Sequence, residues 1–439
     1  MSMVGHLNIF LETYATEAIK IAKKQDKRRA KGEKMGRLAG VVVALKDVIC
    51  YKDHEINAAS NILDGFKSLF SATVVERLLA EDAIIIGSVN CDEFAMGGTN
   101  EYSAFGPTLN AADPTRVPGG SSGGSAVAVQ ANCCLVALGS DTGGSVRQPA
   151  AYCGVYGFKP SYGRLSRHGL IAYASSFDQI GFLTHSLGDI ALLTEICSGP
   201  DQFDSTLYQQ QPEAYNSILK DKKPKRIAYF KEAMNSDVLD PEIRDLVAAQ
   251  MKKWESDGHI VEGVEMPELD YMVPAYYIMT AAEASSNLSR FDGIHYGYRS
   301  PNATDLESTY VKSRSEGFGD EVKRRIMLGT FVLSAGYYDA YYTKAQKIRQ
   351  MIVDKCEDLF SSYDFICTPT NINIAPKLGE LKTEDPVKMY MADIFTVSAN
   401  LIGAPALSIP MEGHSSGMPI GIQLIAKRFN ESAFFEFVD

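Results

Sequence analysis

No two of the eight cysteines stand in a C-x-x-C spacing, and Cys133 and Cys134 are neighbours inside an apolar stretch. That pattern argues against a zinc site or a disulfide framework and for buried thiols in a reducing compartment. No apolar run approaches the ~18 residues of a membrane span, and the first residues do not read as a secretory leader. The expectation is a cytoplasmic protein with no membrane partner. Positive charge is in deficit: Lys and Arg number 43 against 54 Asp and Glu, a net charge of −11. Such a balance argues against a chain that itself neutralises a phosphate backbone. The one basic run, from Lys20 to Lys34, reads as the solvated face of an exposed helix. Histidine is scarce as well, and none of the seven stands in a recognisable catalytic context. What the chain does have is length and apolar content, 439 residues of which 45% are hydrophobic. That suffices for one large α/β domain or two smaller ones.

Strand and helix signals alternate. The β-branched run Val41 to Val43 predicts a buried strand that delivers Lys46 at its end. "TVVERLLAED" predicts a helix, and Ala83 to Val89 a second buried strand. A small-residue helix is expected from near Gly124, followed by a strand ending at Asp141. This succession predicts a largely parallel or mixed sheet with helices on both faces. After Gly199-Pro200 the chain turns polar and reads as a surface connection, through "KDKKPK" at 220–225. Beyond it "RIAYF" predicts a strand, and Asp240-Pro241 starts a helix with Ile243, Leu246, Val247, Met251 and Trp254 on one face. "ALSIPM" and "IGIQLIAK" predict a hairpin near the end.

Two glycine-serine clusters carry the chemistry, "VPGGSSGGSAVAV" at 117–129 and "GSDTGGSVRQPAA" at 139–151. Neither is a Walker A loop, because no lysine followed by serine or threonine ends it. Gly120, Ser122 and Gly124 satisfy G-x-S-x-G, but that nucleophile turn needs a strand directly before it, and "LNAADPTRVPGG" is no strand. The second cluster is better placed, with an apolar run entering it and a helix leaving it. Its backbone N–H groups at Thr142, Gly143, Gly144 and Ser145 are expected to converge as an oxyanion hole beside Ser145. A histidine from elsewhere in the chain stays open as the base, and a lysine can serve if burial lowers its pKa. Lys46, at a strand end, is the best-placed candidate.

"LKD" at Lys46, "PGGSSGGSAVAV" and "GSDTGGSVRQPAAYCGVYGFKPSYGRLSRHGL" closely resemble the amidase signature family. The resemblance implies a catalytic lysine, a serine preceded by a cis peptide bond and a nucleophilic serine, at Lys46, Ser121 and Ser145. It implies a single amidase-signature α/β domain over 1–439, a large mixed sheet covered by helices, short of the family's usual first helix and C-terminal end. "SRFDGIHYGYRS", "EVKRRIMLGTFVLSAGYYDAYYTKAQKIR" and "YMADIFTVSANLIGAPALSIP" are similar to the A subunits of glutamyl- or aspartyl-tRNA amidotransferases. By that resemblance Tyr276, Arg325 and Asp393 bind glutamine, Arg325 holding the α-carboxylate and Asp393 the α-ammonium. It further implies a heterotrimer with B and C subunits. The B subunit would use ATP and Mg²⁺ and hold the mischarged tRNA, and this chain would carry no cofactor or metal. A stand-alone amidase acting on another small amide is the alternative.

Overall fold

The structure is a computed structural model that describes residues 5–218, 223–381 and 386–438. Its strands are β1 (Phe10–Thr13), β2 (Val42–Lys46), β3 (Ile84–Val89), β4 (Val136–Asp141), β5 (Tyr156–Lys159), β6 (Gln179–Thr184), β7 (Arg226–Phe230), β8 (Ile260–Val264), β9 (Phe365–Pro369), β10 (Ala406–Met411) and β11 (Ile420–Ala426). They form one sheet in the order β1-β3-β2-β4-β6-β5-β10-β11-β9-β7-β8. The pairs β2–β3, β2–β4, β7–β8 and β7–β9 are parallel and the others antiparallel, so the sheet is mixed, as expected.

The helices that flank the first six strands are α1 (Ala15–Ala30), α2 (Thr73–Ala80), α3 (Gly123–Gln130), α4 (Arg147–Cys153) and α5 (Leu187–Cys197). After them come α6 (Lys231–Met234), α7 (Pro241–Ser256), α8 (Leu269–Asn287), α9 (Leu306–Gly317), α10 (Asp320–Val332), α11 (Lys344–Leu359), α12 (Pro386–Met391), α13 (Val397–Leu401) and α14 (Ser432–Phe437). Central strands are apolar on both sides because both sides are covered. Val43 and Leu45 of β2 join the larger core cluster, and Ala44 between them joins a second one with Ala126, Val127 and Val129 of α3 and Ala150 of α4. Among the described residues no helix is long and apolar enough to cross a membrane.

The predicted elements around the glycine-serine clusters are present: β2 ends at Lys46, α3 starts at Gly123 and β4 ends at Asp141. Asp240 caps α7 by accepting from the N–H groups of Glu242 and Ile243, and Ile243, Val247, Met251 and Trp254 face inward. β10 and β11 form the expected hairpin, with Ala406 opposite Ile425. Residues 219–222 of the polar connection lie outside the described residues, and the sheet continues past it, since β7 pairs with β9. The basic run falls on α1 and the turn after it, with Lys20, Lys23, Lys24, Lys27, Lys31 and Lys34 exposed.

Candidate active site

β2 ends between β3 and β4, which leaves the Lys46 side chain no route to solvent, and the residue is wholly buried. Its Nζ donates to Ser121 Oγ at 2.6 Å and to Ser140 Oγ at 2.9 Å. Burial pulls the Lys46 pKa down to about 8, against the opposing pull of neighbours that include Asp92 and Asp141. A base that ionises near neutrality is what general-base work requires. Ser140 lies in the second glycine-serine cluster without being among the candidates read from it. Only the pairing of β2 with β4, Leu45 opposite Leu138, carries it to the lysine.

Ser121 is also buried, and the Gly120–Ser121 peptide bond is cis. Three contacts hold this turn: Gly120 N donates to Gln148 Oε1 of α4 (2.9 Å), Asp92 N donates to Ser121 O (3.2 Å), and Ser122 N donates to Ser145 O (3.1 Å). The last joins the two glycine-serine clusters. Asp92 accepts from the N–H groups of Asn100 (2.9 Å) and Tyr102 (3.1 Å), and a Cβ at Gly120 would overlap its carboxylate. Ser122, the G-x-S-x-G serine, is buried at the start of α3 and donates to Ser140 O at 3.1 Å. No strand leads directly into it, so it lacks the setting of a G-x-S-x-G nucleophile turn.

The loop between β4 and α4 is built around Asp141 and Arg147, a pair 2.9 Å apart with no exposure. Burial raises the Asp141 pKa, but the Arg147 guanidinium overcomes that and holds it well below the ordinary carboxylate range. Arg147 also donates to Asn400 Oδ1 (2.6 Å) and Thr396 O (2.9 Å) of the chain leading into and along α13. Asp141 Oδ1 accepts from Gly144 N at 2.9 Å and Oδ2 from Val146 N at 3.1 Å. This corrects the expected oxyanion hole at one position: the Gly144 N–H is turned inward to the carboxylate, and Gly144 contributes its φ of +133° instead. Among the described residues the N–H groups of Thr142, Gly143 and Ser145 have no protein acceptor. Thr142 Oγ1 donates to Asp178 Oδ1 (2.7 Å) and Thr396 Oγ1 to Gly143 O (2.6 Å), anchoring both sides of the loop. Ser145 is partly exposed where Lys46 and Ser121 are not, and its hydroxyl has no hydrogen-bond partner among the described residues.

Three distant elements carry the remaining candidates, and two of them reach this loop, α8 through Tyr276 and the chain before α13 through Thr396. Tyr276, on α8, is buried with its hydroxyl against Gly143, where a Cβ would overlap it. Arg325, on α10, is buried; its Nε donates to Glu321 Oε1 and an NH group to the Tyr173 hydroxyl, both at 2.8 Å. Arg324 points outward, with 47% of its side chain exposed, so of the two arginines Arg325 faces the site. Asp393 accepts from the Tyr277 hydroxyl at 2.6 Å, and burial raises its pKa to about 6. The Arg325 guanidinium lies 5.2 Å from the Tyr277 ring centre, and Tyr390 stacks on that ring at 4.0 Å. Tyr277 therefore links the cationic and anionic candidates. The resemblance named its neighbour Tyr276, whose hydroxyl meets Gly143.

A family description and several known proteins match this arrangement. The Amidase family matches residues 4–435, a span that takes in Lys46, both glycine-serine clusters, Arg325 and Asp393. The chain belongs to the amidase family. This amidase is 49% identical over 430 residues to the glutamyl-tRNA(Gln) amidotransferase A subunit of Chlorobaculum parvum, across 97% of this chain and 88% of that one. It is 48% identical over 435 residues to the protein of the same name from Fusobacterium nucleatum, across 98% of this chain and 88% of that one. The crystal structure of the corresponding A subunit from Thermotoga maritima has a TM-score of 0.79 with it at 43% identity, covering 92% of this chain and 83% of that one. In this amidase no group of three or more His, Cys, Asp or Glu able to hold a metal ion occurs among the described residues.

Proposed function

We propose that this amidase is the glutamine-hydrolysing A subunit of a tRNA-dependent amidotransferase, a glutaminyl-tRNA synthase of the glutamine-hydrolysing kind. The observation that carries the reading is the buried Lys46 bonded to Ser121 Oγ at 2.6 Å, with Ser145 partly exposed on the adjoining loop. Neutral Lys46 takes the Ser121 proton as Ser121 takes that of Ser145, and Ser145 Oγ attacks the glutamine side-chain carbonyl carbon. The free N–H groups of Thr142, Gly143 and Ser145 receive the negative charge that develops on oxygen. Protonated Lys46 returns the proton through Ser121 to the leaving nitrogen, ammonia departs, and water cleaves the ester at Ser145 by the same relay in reverse. A free amino acid suits the far end of the site, with Arg325 for its carboxylate and Asp393 for its ammonium group. Tyr276 meets Gly143 with its hydroxyl and the Tyr277 ring edge-on at 5.0 Å.

In this reading the ammonia passes to a B subunit, which uses ATP and Mg²⁺ to activate Glu-tRNA(Gln) or Asp-tRNA(Asn), with a small C subunit completing a cytoplasmic heterotrimer. The close identity to proteins named as A subunits of glutamyl-tRNA(Gln) amidotransferase supports this. The test is ammonia release from glutamine by the chain alone, then with B and C subunits, ATP and mischarged tRNA. Release that rises strongly with the partners is expected. Equal or broader amide hydrolysis by the isolated chain would mean a stand-alone amidase.

A further inference from the structure

We propose that the outer face of α1 is a contact surface for the phosphate backbone of tRNA. Between residues 20 and 34 the chain carries six lysines and two arginines against only Asp26 and Glu33, in a protein whose net charge is −11. At 100° per residue Lys20, Lys23, Lys24, Lys27 and Lys31 fall within one arc of the helix. The two arginines are occupied, Arg28 with Asp82 and Glu33 and Arg29 with Asp26. The lysines have no ion-pair partner among the described residues. From Lys20 to Lys31 the stripe is about 16 Å long, enough for several consecutive phosphates.

The opposite face of α1 is already used. Ala18 and Gln25 are buried, Ile21 and Ala22 pack against the core cluster beside β3, and Gln25 donates to Asp82 O at 2.7 Å. A helix that lies on a membrane needs its apolar face free, so a lipid surface does not fit. A protein partner fits poorly as well. Lysine is depleted from protein interfaces, which rely on aromatic and aliphatic anchors, and here Ile19 is the lone large apolar side chain exposed on the helix. Lysine heads are strongly hydrated point charges, suited to phosphates contacted without sequence readout. The identity of the RNA as tRNA rests on the proposed function. The phosphate recognition rests on the stripe.

The test is tRNA binding by the assembled heterotrimer, read by fluorescence anisotropy over a series of salt concentrations, for the wild type and for K20Q/K23Q/K27Q. Removing three phosphate contacts should flatten the slope of log affinity against log salt by about 2 to 3 and weaken binding at low salt by roughly tenfold or more. K20R/K23R/K27R should bind as the wild type does, which separates charge from helix damage. Identical affinity and slope for the wild type and K20Q/K23Q/K27Q would overturn the proposal, as would competition by poly-glutamate as effective as that by RNA of equal charge. Glutamine hydrolysis without tRNA is read in parallel and should be the same in all three proteins. If the wild type hydrolyses no glutamine while the lysine variant still loses tRNA binding, the proposed catalytic role fails and the docking surface stands.

Discussion

At the residue scale the site depends on how burial tunes single groups. Lys46 suits the proposed role of base because it is wholly buried, and a pKa near 8 leaves a usable neutral fraction at neutral pH. The reactive form is the deprotonated one, so the acylation rate should rise with pH, pass its midpoint near 8 and level off above it; a flat profile in stopped-flow acylation would refute lysine as the base. Ser145→Ala should lower turnover by roughly 10³-fold or more, while Ser122→Ala should keep most of it. Tyr277 makes a different prediction. Its hydroxyl orients Asp393, so Tyr277→Phe should raise the KM for glutamine by roughly tenfold with a smaller effect on kcat, whereas a role in the chemical step would lower kcat first.

At the scale of elements, loops held by backbone hydrogen bonds do the positioning. The turn from β4 into α4 needs a glycine at 144, where φ is +133° and a Cβ would overlap Thr396 Oγ1. Gly144→Ala should therefore abolish glutamine hydrolysis with the protein still folded, which circular dichroism beside the activity assay would read. α7 lies away from this turn and gives the contrasting case. Asp240 caps it through two N–H groups, so Asp240→Ala should cost about 1 kcal/mol in denaturant unfolding and leave activity unchanged. A large loss of activity there would mean that α7 is coupled to the site.

At the scale of the whole molecule, Arg147 joins the loop that carries Ser145 to the chain entering α13, which carries Asp393 and Thr396 on its approach. Breaking one member of a buried pair leaves the other charge uncompensated. Arg147→Met should cost about 3–5 kcal/mol of folding stability and remove activity together with it. The sign with pH follows from Asp141. In the wild type its pKa is lowered on folding, so its contribution is present at neutral pH and is lost as pH falls toward that lowered value. Without Arg147 the Asp141 pKa lies higher than in the wild type, so the variant should lose less stability than the wild type on acidification, which thermal unfolding across a pH series would measure.

Local patterning sufficed for much of this protein. β-branched runs, an Asp-Pro helix start and glycine-serine turns act over a few residues, so β2, β4, α3, α7 and the β10–β11 hairpin were legible in order. Lys46 at a strand end and Ser145 in a glycine-rich turn were candidates on the same local grounds, whereas Ser121, one of two adjacent serines, came only from the resemblance to the amidase signature family. The meetings between distant residues were decided by tertiary structure. The register of β2 on β4 brought Ser140 to Lys46, and the packing of α8 and α10 turned Arg325 inward and Arg324 out and gave Tyr277 rather than Tyr276 to Asp393. Asp141, charged because Arg147 lies beside it, took the Gly144 amide away from the expected oxyanion hole. Each of these depends on which far-off strand or helix arrives alongside, and a one-residue change of register turns a side chain to the opposite face, so nothing local in the chain specifies them.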